Sequence, residues 1–230
     1  MPPLQVLFED NHLLAVLKPA DLPTMGAAAG RESLLDVAAA YIKRKYDKPG
    51  KVYLGVVSRL DSVTTGVLLL ARTSKAAARL TEQFRTGRVH KTYWAIVAGR
   101  PQPETGELHD WVVKEEQRRR MVVTSQTTPG AKSARLSYVT RAAGRGVSLL
   151  EVHLETGRKH QIRLQFSERG HAVVGDRKYG SRRSFPRGIG LHARRLALTH
   201  PVRKTQLDIV APLPPSWREF GLNEEGEFST

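Results

Sequence analysis

The sequence predicts an α+β fold with a mixed, largely antiparallel central β-sheet and a few flanking helices. Short apolar or alternating runs bounded by turn residues recur throughout the 230-residue chain. Helical spacing of apolar residues appears in only three or four stretches. Regular strand–helix–strand alternation is missing, which argues against a doubly wound nucleotide-binding fold.

Val6–Phe8 and His12–Leu17 flank Glu9-Asp10-Asn11 and read as a hairpin, and Gly26–Gly30 reads as a loop. Ser33 opens a helix, with Asp36 three residues on and Leu34, Val37, Ala38, Tyr41 and Ile42 as its apolar stripe. Val52–Val57 and Val67–Ala71 read as strands on either side of the polar stretch Ser58–Gly66. Ser74 is the expected cap of a second helix over Lys75–Arg85, whose exposed face is basic. Strands then predominate: Val89–Ala98, Leu108–Val113, Met121–Thr124, Ala134–Thr140 and Val147–Glu155. A turn at Thr156-Gly157-Arg158 leads into a helix over His160–Ser167, followed by strands at His171–Val174, His192–Leu198 and Gln206–Val210. Pro212, Pro214 and Pro215 end the sheet, with a short helix expected near Trp217. Without repeats or low-complexity linkers, residues 1–222 read as one domain and 223–230 as a frayed acidic tail.

Composition narrows the function. With 37 Lys+Arg against 22 Asp+Glu, the net charge is +15. Residues 151–205 alone hold 13 basic and 4 acidic side chains. Such an excess points to a polyanionic partner, nucleic acid above all, because lysine and arginine that neutralise phosphates release condensed counterions. A content of 40% hydrophobic residues excludes wholesale disorder. The longest apolar runs, such as Val67–Ala71, fall far short of the roughly 20 residues a membrane helix needs. Met1-Pro2-Pro3-Leu4 does not resemble a signal peptide, so the expected location is the cytoplasm. Without cysteine there is no disulfide, thiol nucleophile or thiolate metal site. The eight histidines show no metal-ligand spacing, and no phosphate-loop or nucleophile-elbow motif is present.

Three stretches stand out as candidates for chemistry. Arg59-Leu60-Asp61-Ser62-Val63-Thr64-Thr65-Gly66 lies between two apolar strands. An aspartate there is either a turn former or a catalytic carboxylate. Thr156-Gly157-Arg158-Lys159-His160-Gln161-Ile162-Arg163 places backbone N–H groups and three cationic or titratable side chains at a helix start. It reads as a phosphate cradle or as a solvated basic face. Arg163 sits between Ile162 and Leu164, and a half-buried guanidinium calls for a carboxylate partner. In Val89–Val97, strand alternation sets Tyr93 and Trp94 on opposite faces. Tyr93 is either a packing residue or an aromatic able to stack on an extruded base.

Taken in order, these stretches resemble the RluA-like family of RNA pseudouridine synthases. Val6–Pro19 is similar to that family's first motif, and Arg59–Gly66, followed by Val67–Ala71, to its catalytic loop. Lys91-Thr92-Tyr93-Trp94-Ala95 is similar to the strand with the active-site tyrosine, and Leu154–Arg163 to the third motif. Gly170-His171, Gly175-Asp176, Tyr179-Gly180, Leu191-His192-Ala193 and His200-Pro201 continue the run, so the resemblance covers about residues 4–215. Ser58 and Thr65 stand where members commonly have His and Ser. Many relatives also carry an N-terminal RNA-binding domain, whereas this chain opens on the catalytic segment.

The resemblance implies cofactor-free and metal-free isomerisation of uridines in structured ribosomal or transfer RNA, by a monomer with no membrane association. It makes Asp61, Tyr93 and Arg163 the catalytic residues, with Arg163 expected to pair with the Asp61 carboxylate. Arg59, Thr65, Arg158, Lys159 and His160 are then expected to contact substrate or RNA. The competing reading is a non-catalytic RNA-binding or ribosome-assembly protein that retains the fold. A metal-dependent nuclease would need clustered carboxylates, and Asp61 has no acidic neighbour within ten residues.

Overall fold

The structure is a computed structural model that describes residues 4–26 and 30–228. The expected loop at Gly26–Gly30 therefore falls largely outside the described residues, as do Met1–Pro3. Four α-helices accompany eleven strands among the described residues, and the strands pair mostly antiparallel, as an α+β fold requires. The chain divides into two compact units: residues 1–90 with 193–212, and 91–192 with 213–230.

In the first unit, β1 (Val6–Glu9) and β2 (Leu13–Lys18) form the expected hairpin, and β2 pairs antiparallel with β4 (Thr65–Ala71). Every residue of β4 is buried, so it reads as a continuous apolar run rather than an alternating one. Of the strand expected at Val52–Val57, only β3 (Gly55–Val56) is paired, against the end of β4. Helix α1 (Leu34–Lys45) starts from a complete capping box, in which Ser33 Oγ accepts from the Asp36 N–H and Asp36 Oδ2 accepts from the Ser33 N–H. Its buried Leu34, Ala38 and Ile42 pack on Leu14, Val16, Leu68 and Leu70 to form the core of this unit.

Helix α2 (Ser74–Arg85) is capped by Thr73, not Ser74, because the Thr73 hydroxyl accepts the Ala76 N–H. Its basic face is partly engaged within the protein: Arg79 donates to the Pro201 carbonyl and Arg85 pairs with Glu82, leaving Lys75 exposed. Gln83 continues the pairing of β10 (Leu191–Thr199) like an extra strand residue, donating to the Thr199 carbonyl and accepting its N–H. β11 (Gln206–Val210) runs antiparallel along the other half of β10.

In the second unit the strand order is β5 (His90–Ala98), β9 (Val147–Leu154), β8 (Lys132–Gly144), β6 (Thr105–Glu115) and β7 (Arg120–Thr124), all antiparallel neighbours. Alternation on β5 buries Trp94 against Leu149 and Trp217, the latter on α4 (Pro215–Glu219). On the opposite sheet face, Ala134 and Val112 pack with Leu164 of α3 (Gln161–Ser167). His171–Val174 is not a regular strand, since only an isolated bridge from Val173 to Val97 forms. Segment 223–228 does not fray. The Glu224 carboxylate accepts the Leu213 N–H, and Leu222 bridges to Phe228.

One backbone contact governs the start of β4. Gly66 has φ of 120°, and a Cβ there would lie 2.4 Å from both the N and the O of Ala193. Gly66→Ala is therefore expected to destabilise the protein by about 3 kcal/mol, through overpacking and backbone strain together. A urea midpoint close to that of the wild type would show that the two backbones can part without cost.

Candidate functional site

The Asp61 loop belongs to the first unit and runs from β3 into β4. Its backbone is anchored from the 18–24 segment. The Thr24 hydroxyl donates to the Leu60 carbonyl (2.9 Å) and accepts the Leu60 N–H (3.2 Å). Lys18, completely buried at the end of β2, donates from Nζ to the carbonyls of Pro19 (2.7 Å), Leu22 (2.8 Å) and Ser62 (2.9 Å). An ammonium has three N–H donors, and here each meets a carbonyl oxygen. A turn closed by the Thr64 N–H on the Asp61 carbonyl then leads into β4. Asp61 itself is half-buried and Arg59 is exposed.

Lys18 is the functional-site residue that sequence reasoning missed. A lysine closing an otherwise apolar strand and preceding a proline was the available signal, because a cation in that position needs acceptors supplied by the fold. Burial pulls its ammonium down to about 7, while the negative charges of Asp61 and Asp21 favour the protonated form. The lysine thus places a counter-charge inside the same unit as Asp61. Thr65, expected to contact RNA, is only 2% exposed as the first residue of β4, which leaves almost nothing of it for a polyanion to touch.

In the second unit, Tyr93 is half-buried on β5 opposite Val152 of β9, with Trp94 on the other face as strand alternation requires. Arg163 lies within α3 and is 5% exposed. Its carboxylate partner in this unit is Asp176, which the sequence reading did not identify. Nε meets Oδ2 at 2.6 Å and Nη2 meets Oδ1 at 2.9 Å, a bidentate buried pair. The guanidinium also lies over the Tyr179 ring, 5.1 Å from its centroid. Asp176 thus gives the guanidinium a carboxylate partner that allows it to sit on an otherwise apolar helix face.

The 156–161 turn differs from the expected open cradle. Gln161 folds its side chain back so that Oε1 accepts both the Thr156 hydroxyl and the Arg158 N–H, and Nε2 donates to the Arg135 carbonyl. One of the amides expected to face an anion is therefore occupied within the protein. Arg158 donates from Nε to the Ser133 carbonyl, and Lys159 is exposed. His160 takes the left-handed conformation (φ 55°), and its Nδ1 lies 2.8 Å from the Tyr179 hydroxyl, which also accepts the Met121 N–H. Lys91, given no role from the sequence, has its Nζ beside Gly157. Burial, and after it the neighbouring Arg158 charge, lower its ammonium below the usual lysine range. Two cations kept this close form a place where an anion is favoured.

Among the described residues no group of His, Asp or Glu is arranged to hold a metal ion, and no helix is long and apolar enough to cross a membrane.

Residues 12–168 match the family described as RNA pseudouridylate synthase. Ribosomal large subunit pseudouridine synthase D of Xylella fastidiosa is 34% identical over 226 residues, covering 92% of this chain and 66% of the relative. The protein of the same name from Zymomonas mobilis is 33% identical over 223 residues, covering 92% of this chain and 70% of its own length. The chain thus spans about two thirds of the length of these curated relatives. Among solved structures, human RNA pseudouridylate synthase domain containing 4 superposes with a TM-score of 0.78 at 27% identity, over 93% of this chain and 92% of that one.

Two stability outcomes follow from the buried charges. Lys18 keeps its proton up to about pH 10.5 when unfolded but only to about 7 when folded, so between these values the unfolded state binds more protons. Stability then rises with pH across that window, at up to ~1.4 kcal/mol per pH unit. Lys18→Met strands three carbonyls and is expected to cost on the order of 3 kcal/mol. In urea titrations the gap between this variant and the wild type is expected to widen from pH 7 to 10, and a constant gap would show that Lys18 does not titrate there. Asp176→Ala leaves the Arg163 guanidinium without its bidentate partner and is expected to cost about 3–5 kcal/mol in the same measurement.

Proposed function

The chain belongs to the RNA pseudouridylate synthase family, and on that premise we propose that it isomerises specific uridines of structured RNA to pseudouridine. The observation that carries this reading is the Asp61 loop, whose backbone is pinned on both sides of the carboxylate by Thr24 and Lys18. A reacting carboxylate has to be held in position, and that anchoring supplies the constraint.

In the proposed reaction the N1–C1′ bond of the uridine breaks, the uracil turns, and a C5–C1′ bond forms. The C5 proton is lost and N1 regains one, so atoms balance without a redox partner or a second substrate. The Asp61 carboxylate either attacks C1′ or removes the 2′ proton. Tyr93 stacks on the displaced uracil and takes part in removing the C5 proton. Arg163, oriented by Asp176, supplies positive charge to the site. The target base is flipped out of its stack, at a cost of a few kcal/mol. Arg59 enters the vacated space, and Arg158, Lys159, His160 and Lys75 hold phosphates. Ribosomal RNA is the favoured substrate over transfer RNA, given the names of the Xylella and Zymomonas relatives. Residues 1–222 act as one catalytic domain, working as a monomer in the cytoplasm.

Asp61→Asn is the test. The variant is expected to fold and to bind a ribosomal RNA transcript as the wild type does, while tritium release from 5-tritiated uridine in that transcript falls to background. Retained release would remove Asp61 from its role. Binding without release by the wild type on ribosomal and transfer RNA alike would favour the non-catalytic RNA-binding reading.

A further inference from the structure

Away from the Asp61 loop, the second unit holds a cavity of about 490 Å³ lined by Arg182, Arg183, Ser184, Phe185, Pro186, Glu219 and Phe220. Its floor is apolar. Phe185 packs edge-on against the fully buried Trp217, and Phe220 lies 5.1 Å from Phe185, centroid to centroid. On this floor Arg183 is held in place, with its guanidinium over the Phe220 ring and Nη1 donating to the Arg145 carbonyl. Arg145 comes from the turn between β8 and β9, and its own Nη1 lies 3.5 Å from the place a Cβ on Gly221 would occupy. Arg182 and Arg183 therefore line the concavity, and Arg145, from a separate chain segment, lies beside it next to Gly221. Among the described residues, Arg145, Arg182 and Arg183 make no ion pair, and Glu219 is the one carboxylate lining the cavity.

With a single carboxylate among them, these arginines leave an excess of positive charge that an anion entering the cavity offsets. The Phe220 ring is already engaged within the protein, packed against Phe185 and lying beneath the Arg183 guanidinium. What remains is charge and fork-shaped N–H donors, which suit phosphate oxygens. We propose that this cavity is a sequence-independent site for the phosphodiester backbone of the RNA, engaging nucleotides outside the target uridine. The inference rests on the reading of the chain as an RNA-modifying enzyme and adds a second anchoring point to it.

The probe is a fluorescein-labelled transcript of a ribosomal RNA hairpin with single-stranded flanks, titrated by anisotropy at several NaCl concentrations. The test variant is Arg145→Asn/Arg182→Ala, in which asparagine tolerates the left-handed backbone of position 145 (φ 54°). The charge-matched control is Lys48→Ala/Lys51→Ala, on exposed residues after α1. The test variant is expected to bind at least tenfold more weakly, with the slope of log affinity against log salt reduced by about 1.5, as for two lost phosphate contacts. The control is expected to change less than twofold. Equal losses in both variants would mean that only net charge matters and would overturn the site, as would wild-type affinity and slope in the test variant. Failure of the wild type to bind any RNA would instead overturn the functional reading itself.

Discussion

The geometry of the Asp61 loop depends on one buried ammonium. Lys18 lies at the end of an apolar strand with no solvent around it, and its three donors are matched by three carbonyls from two loops. The Leu22 carbonyl among them would otherwise be a buried acceptor lacking a donor, which is costly in a low-dielectric interior. The lysine and the loops therefore stabilise one another. Thr24 adds a reciprocal pair of hydrogen bonds at Leu60, and Gly66 lets β4 begin against the Ala193 backbone where any side chain would collide. Loop, strand and counter-charge all lie within a few residues of the carboxylate.

The same device recurs elsewhere in the chain. A protein with 37 basic and 22 acidic residues cannot pair every cation with a carboxylate. Several of its cations are positioned by backbone carbonyls instead: Arg79 by Pro201, Arg158 by Ser133, Lys178 by Arg119 and Arg183 by Arg145. A carbonyl orients a cation without cancelling its charge, so the side chain is held in place and the surface stays positive. That combination suits recognition of a polyanion, in which phosphates rather than bases supply most of the affinity. The bidentate Arg163–Asp176 pair is the counter-example. There the buried cation is compensated for its lost hydration by a carboxylate.

Most of the architecture was legible in the chain because it follows local rules. The Ser33–Asp36 capping box, the apolar stripe of α1, the alternation that separates Tyr93 from Trp94 and the apolar run of β4 all appear where pattern places them. The errors share a cause. Val52–Val57 has strand-like residues, but only Gly55 and Val56 reach a neighbour with which to pair. His171–Val174 likewise meets β5 at a single bridge. The tail at 223–228 looked polar enough to fray, yet Glu224 accepts the N–H of the buried Leu213 just before α4. Whether a strand-like or polar segment becomes ordered depends on a partner far along the chain.

Composition and motif order by themselves determined the α+β class, the basic character and the residues that carry family resemblance, because charge and periodicity are properties of neighbouring residues. Tertiary structure alone decided the partners. Asp176 gives Arg163 a bidentate partner that the sequence did not point to, Gln161 closes the turn that pattern suggested was open, and Lys18 supports the loop whose chemistry had seemed to stand alone. Hydrogen bonds and ion pairs between segments depend on distances of a few ångströms, and only the folded chain sets those distances.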